Sequence, residues 1–202
     1  MNYITYNQLL GNNIHIGNIY TKGLKMHNNM ILGIRKGYLI LNLEYTLFYF
    51  RKLNFFFKEL ILIKGIFLVA SINLITLNFS ADILQNSKYL TYFIGKWPGG
   101  LFTNFKSLRN RLMINQNITR LKRLPDALFL IDNSNNNAIL LETKKLLIPN
   151  FSLVNGKIFK NIDYPLLGNN SSIYSIKFYI YLFIYLITLN QVEQRIISNY
   201  LE

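Results

Sequence analysis

The chain has 202 residues, with 22 Lys plus Arg against 9 Asp plus Glu and a formal net charge of +13. Its apolar share of 51% suits one domain with a real core and excludes a disordered basic tail as a description of the whole. With no Cys and two His, disulfide frameworks, Cys-ligated zinc, iron–sulfur clusters and thiol nucleophiles are excluded together.

In chain order, residues 1–29 are polar and broken by Gly11, Gly17 and Gly23, an N-terminal extension expected to stay out of the core. Tyr38–Asn42 reads as a first strand, and Leu43–Lys64 has helical spacing interrupted by charges. After Gly65, Ile66–Ala70 reads as a buried strand, followed by a weaker helix over Leu74–Gln85 and an apolar run at Tyr89–Ile94. Beyond Gly99–Gly100, a helix over Thr103–Met113 places Phe105, Leu108 and Leu112 on one stripe. Ala127–Ile131 and Phe151–Val154 are further strands, with a helix at Ala138–Leu146 between them. Ser171–Ser172 caps a closing helix to about Arg195, reached through a loop around Gly156 and Gly168.

Short apolar runs alternating with helices imply buried parallel strands. The expectation is a single α/β domain over 1–202 with its core at 38–195. The fold class is a three-layer α/β/α, mostly parallel five-stranded Rossmann-like (flavodoxin-like) sheet with an N-terminal extension. The twelve-residue run Phe178–Leu189 falls short of the ~20 apolar residues that a bilayer span needs. It reads as a helix buried on the sheet, with Lys177 at its rim.

The charge is concentrated. Met1–Leu43 holds Lys22, Lys25, Arg35 and Lys36 and no acid. Ile83–Pro125 holds Lys88, Lys96, Lys106, Arg109, Arg111, Arg120, Lys122 and Arg123, again with no acid. Ten bases and nine acids make up the rest. Concentrated cations on a near-neutral body are the footprint of a polyphosphate partner. The candidate RNA contacts are therefore Lys22, Lys25, Arg35, Lys36, Lys96, Trp97, Asn104, Lys106, Arg109, Arg111, Arg120, Lys122 and Arg123.

Gly99–Gly100 lacks both the three-glycine dinucleotide fingerprint and the P-loop Lys-Ser/Thr ending. It suits a tight turn whose backbone approaches an RNA phosphate. Trp97, the single Trp, either stacks on a base or plugs the edge of the core. Asp126, Asp132 and Glu142 form no acid/base constellation and read as structural caps. His15 and His27 lack metal-ligand spacing and read as hydrogen-bonding or RNA-contacting groups. No metal, cofactor or small-molecule substrate is implied.

The ordered blocks resemble the small-subunit ribosomal protein S2 family of bacterial and organellar type. His15-Ile16-Gly17 is similar to its His-Phe-Gly start, and Lys25-Met26 with Ile31-Leu32-Gly33-Ile34-Arg35 to its Lys-Met and Ile-Phe-Gly-x-Arg run. Ile40-Leu41-Asn42-Leu43-Glu44-Tyr45-Thr46 resembles the opening of its first long helix. Lys96-Trp97-Pro98-Gly99-Gly100-Leu101-Phe102-Thr103-Asn104-Phe105 resembles Arg-Trp-Leu-Gly-Gly-Met-Leu-Thr-Asn-Trp. Leu124-Pro125-Asp126-Ala127-Leu128-Phe129-Leu130-Ile131-Asp132 is nearly the family's sequence, and Ile148-Pro149 and Gly168-Asn169 match two later turns.

The resemblance implies a non-catalytic constituent of the small ribosomal subunit, with small-subunit rRNA and neighbouring ribosomal proteins as partners. The long helical hairpin that the bacterial family inserts before Leu-Pro-Asp-Ala is largely absent here, only Ile114–Arg123 remaining. Leu167 and Asn18 also depart from the usual Pro and His. The competing class is a nucleotide- or phosphosugar-binding α/β enzyme, which would need a glycine fingerprint and an acid/base pair. The usage of 28 Ile, 27 Asn and 15 Lys against 4 Ala reflects AT-rich codons. With no targeting pattern, that composition implies a mitochondrial, organelle-encoded protein.

Overall fold

The computed structural model describes residues 4–21, 28–71, 89–108, 123–131, 137–156 and 161–201. Helix α1 (Tyr6–Gly11) opens with a capping box between Thr5 and Gln8. Strands β1 (Ile16–Ile19), β2 (Ile31–Arg35) and β3 (Tyr38–Leu41) form an antiparallel sheet in the order β1-β3-β2. Helix α2 (Leu43–Leu62) follows. A parallel sheet then takes β4 (Phe67–Ser71), β5 (Leu90–Ile94), β6 (Ala127–Leu130), β7 (Asn150–Val154) and β8 (Tyr164–Leu167) in the order β5-β4-β6-β7-β8. Within that sheet the order is the flavodoxin-like 2-1-3-4-5. Helices α3 (Asn137–Lys145) and α4 (Ile173–Leu201) complete the described elements.

Strand alternation builds the layers. Phe67, Val69, Phe129, Phe151 and Leu153 point to one face, where they meet Phe50, Phe57, Tyr179 and Phe183 of α2 and α4. Leu68, Ala70, Leu128 and Leu130 point to the other, where they meet Leu101, Phe102 and Ile139 and Leu140 of α3. Helix α2 buries Leu43, Thr46, Phe50, Leu53, Phe57, Leu60 and Ile61, a stripe at helical spacing. Its start is set by Asn42, whose side chain accepts the Glu44 N–H at 3.0 Å. The three-layer parallel sheet expected from the sequence is the fold observed.

Several details differ. Tyr38–Leu41 pairs with β1 and β2, not with the parallel sheet, and the fifth parallel strand is β8. The sequence reads a loop around Gly156 and Gly168 here, yet β8 forms with Pro165 at a sheet edge, which tolerates a residue without an N–H. The N-terminal extension does pack: Leu9 and Ile14 are fully buried in the α2/α4-side core. Gly17 lies so close that a Cβ there would sit 2.7 Å from the Asn155 carbonyl oxygen, while the Asn18 N–H donates to that oxygen at 3.0 Å. Helical backbone begins at 105, after a turn over 101–104. The proposed Leu74–Gln85 helix and residues 109–113 lie outside the described residues.

Helix α4 runs past Arg195 to Leu201. Asn169, not a serine side chain, holds its entry, with Oδ1 accepting the N–H groups of Ser171 (2.9 Å) and Ser172 (3.1 Å). Ile173–Gln194 is long and apolar enough to cross a membrane by length and composition, and half of that stretch is buried. Ile176, Tyr179, Ile180, Phe183, Leu186 and Ile187 supply the buried side, so the helix serves the core as expected. Lys177 is half-buried.

The β8–α4 junction is the tightest point in this packing. Tyr179 Oη donates to the Leu167 carbonyl, and burial pushes its phenol well above the usual tyrosine range, so it remains a donor. A Cβ on Gly168 would sit 2.8 Å from both Leu153 Cδ1 and Tyr179 Oη. Gly168→Ala is expected to cost ~1–3 kcal/mol through overpacking. Tyr179→Phe should cost ~1–3 kcal/mol by leaving a buried carbonyl unpaired. Urea unfolding measures both, and losses below ~0.5 kcal/mol would contradict this packing.

Candidate nucleic-acid interface

Glu142 lies on α3 one turn beyond Ile139, on the side facing the sheet, and is only 7% exposed. A carboxylate in that position needs donors on both oxygens. Oε1 accepts Trp97 Nε1–H at 3.1 Å and the Gly100 N–H at 2.7 Å. Oε2 accepts the Phe102 N–H at 2.7 Å and the Thr103 N–H at 3.4 Å. Gly100 adopts φ +84°, the left-handed region glycine favours, which lets the chain turn around the carboxylate.

These bonds settle two readings from the sequence. Trp97 is buried, with its indole edge-on to Phe93 (4.9 Å between centroids) and Phe102 (4.7 Å). It plugs the core and offers no stacking surface to a base, a correction to its place among the candidate RNA contacts. The Gly99–Gly100 turn is an anion cradle, but its anion is the protein's own carboxylate. The N–H groups of Gly100, Phe102 and Thr103 point at Glu142, so the backbone approach to an RNA phosphate expected there is replaced by an internal contact. The same occupancy takes the one glycine turn that the nucleotide-binding reading had to offer.

What faces solvent around this turn is cationic and polar. Lys96, Asn104 and Lys106 are exposed, while Phe105 and Leu108 pack onto the α3-side core as the predicted stripe requires. Asn104 starts the helical segment, its carbonyl accepting the N–H groups of Ser107 (3.2 Å) and Leu108 (3.1 Å). Arg35 and Lys36 are exposed at the β2–β3 turn. Lys22, Lys25, Arg109, Arg111, Arg120 and Lys122 lie outside the described residues, as do Asp132 and His27.

Arg123 departs from the expectation that the acid-free window leaves its bases unpaired. Asp126, three residues on, takes its guanidinium at 3.0 Å, and Arg123 also donates to the Lys64 carbonyl at 3.1 Å. Asp126 meanwhile accepts the Ile66 N–H at 2.7 Å, closing the entrances of β4 and β6. Both acids therefore act as structural caps. His15 is half-buried, with Nδ1 unpartnered among the described residues and its pKa lowered by burial. Among the described residues no group of three metal-ligating side chains occurs. A pocket on the opposite face of the sheet is lined by Arg51, Phe55, Phe56, Phe151 and Tyr164 among others.

Comparison with known proteins matches this arrangement to one family. The model of the family described as Ribosomal protein S2 matches residues 9–121 and 113–187. The two matches overlap over residues 113–121, the stretch where the resemblance implies a shortened hairpin. The chain is 26% identical over 181 residues to small ribosomal subunit protein uS2m of Acanthamoeba castellanii, covering 88% of this chain and 55% of that protein. It is 26% identical over 215 residues to uS2 of Deinococcus radiodurans, covering 88% and 80%. It is 23% identical over 211 residues to uS2 of Rhodococcus erythropolis, covering 87% and 73%. The chain thus spans little more than half of the amoebal relative.

The Arg123–Asp126 geometry yields a stability test. Asp126→Ala removes the acceptor for a backbone amide and is expected to cost ~1–3 kcal/mol. Arg123→Ala breaks a pair whose arginine side chain is 52% exposed and should cost ~0–1 kcal/mol. Denaturant titration of both variants checks the ranking, and an equal or reversed order would refute the capping role of Asp126.

Proposed function

The chain belongs to the ribosomal protein S2 family, and from that premise we propose that it is a structural constituent of the small ribosomal subunit. It binds small-subunit rRNA and neighbouring ribosomal proteins and catalyses no reaction. The observation that carries this reading is the family match across nearly the whole chain. The site supports it chemically, because Lys96, Asn104 and Lys106 stand exposed around a turn whose Gly100, Phe102 and Thr103 amides are taken by Glu142. Recognition then runs through side-chain cations on phosphate and through RNA shape, since A-form helices hide their base edges in a deep groove.

Lys22, Lys25, Arg35, Lys36, Arg109, Arg111, Arg120 and Lys122 extend this surface in the proposal. Arg123 contributes less, its guanidinium being shared with Asp126. Placement in the mitochondrial small subunit is supported by the similarity to the amoebal uS2m and by the AT-biased composition. The α4 helix is assigned to the core and not to a bilayer, on the strength of its buried aromatic side.

The test is incorporation of Lys106→Ala/Arg109→Ala into the small subunit across a salt series. Each lost phosphate contact lowers the salt slope of binding by roughly 0.7 to 0.9. The double variant should assemble poorly at raised salt while keeping wild-type unfolding. Normal incorporation at raised salt would remove this window from the RNA-binding face.

A further inference from the structure

Resting on the RNA-binding reading above, we infer that Glu142 is a positioning residue of the interface: its buried carboxylate fixes the turn that presents Lys96, Asn104 and Lys106. Three of its four donors are backbone amides spread over Gly100, Phe102 and Thr103, so it sets the path of the main chain and not one side chain. The fourth, Trp97 Nε1–H, ties down the residue next to Lys96. Thr103, at the other end of the tied segment, is next to Asn104, whose N–H closes the turn onto the Gly100 carbonyl at 2.7 Å. The two outward-facing flanks are therefore registered against each other by one carboxylate.

Glu142 is delivered from a rigid support. Thr143 Oγ1, beside it on α3, accepts Asn150 Nδ2–H at 3.4 Å, and Asp163 Oδ2 accepts both Asn150 Nδ2–H (2.7 Å) and the Asn150 N–H (3.1 Å). The helix is thus tied to the start of β7 and the approach to β8. Being buried, Glu142 touches no RNA itself, and its contribution passes through the turn. Phosphates on a folded RNA are at set spacings, so cations displaced with a loosened turn lose contacts that the same cations make when held.

The test is a double-mutant cycle on the full chain, with a small-subunit rRNA transcript as probe and a salt series as readout. Glu142→Gln keeps the side-chain shape but sets an amide N–H₂ against N–H donors of the turn. It is expected to stay folded, to weaken binding on the order of ten-fold and to reduce the salt slope by roughly 0.7 or more. In that background Lys96→Ala/Lys106→Ala should cost clearly less than in the otherwise wild-type chain, because cations already out of place have less to lose. A merely structural role would leave the two effects additive. Full additivity, or wild-type affinity in folded Glu142→Gln, overturns the inference. Should Glu142→Gln not fold, Trp97→Phe removes one donor while keeping a ring, and the same criterion decides. Failure of the RNA-binding reading looks different: Lys96→Ala/Lys106→Ala alone leaves affinity and salt slope unmoved, and both proposals fall.

Discussion

A carboxylate withdrawn from water costs several kcal/mol, roughly, unless donors saturate it, and Glu142 meets that demand with four N–H groups drawn from a seven-residue stretch. The arrangement works in both directions. The turn over 97–103 would carry unpaired amides without the carboxylate, and the carboxylate would be an unpaired charge without the turn. Trp97 can be buried because its one polar atom is used in the same place. With the amides of Gly100, Phe102 and Thr103 committed to Glu142, the exposed Lys96 and Lys106 are the cationic groups this turn offers to solvent.

The sheet separates two kinds of work. On the α2/α4 face large rings interlock: Phe57 lies 4.9 Å from Phe67 and 5.7 Å from Phe183, and Phe129 is edge-on to Phe183 at 4.5 Å. That side supplies the bulk of apolar burial and absorbs the N-terminal Leu9 and Ile14. The α3 face is smaller and carries the polar clamp. Parallel strands buried on both sides hold the two faces in register, so the clamp stands on a stiff support. Asp126 adds a second tie at the strand entrances, binding the Ile66 amide across 60 residues of sequence.

The fold was legible wherever local pattern decides it. β4, β5, β6 and β7 are short apolar runs bounded by Gly, Pro or Asp, and α2 announces itself by its helical spacing. β8 was not, because Pro165 breaks the strand pattern and only an edge position excuses it. The partner of β3 was not either, since periodicity shows that a strand exists but not which sheet it joins. For the site, the exposed cations followed from charge alone. The capping role of Glu142 also followed, but its partners did not, because 45 residues separate it from Trp97. A usable signal was present: Ile139, Glu142 and Thr143 fall at i, i+3 and i+4, and an acid on a buried stripe requires donors from elsewhere in the chain. Trp97 misled because burial and base stacking call for the same residue type.

The charge balance bears on the proposed partners. Among the described residues there are two ion pairs, Lys58–Glu193 and Arg123–Asp126, and one of them removes a base from the central basic window. Arg35, Lys36, Lys96 and Lys106 are exposed and make no ion pair among the described residues. A net charge of +13 on 202 residues repels itself and opposes compaction, and that cost is smallest where cations stand in water, apart from one another. Among the described residues the chain folds around apolar faces and a few satisfied acids, and leaves Arg35, Lys36, Lys96 and Lys106 in solvent. In the proposed reading RNA phosphate is the counter-charge for these cations, because its backbone offers regularly spaced anions. Glu142, the acid at this turn, faces inward onto the amides of Gly100, Phe102 and Thr103 and the Trp97 indole.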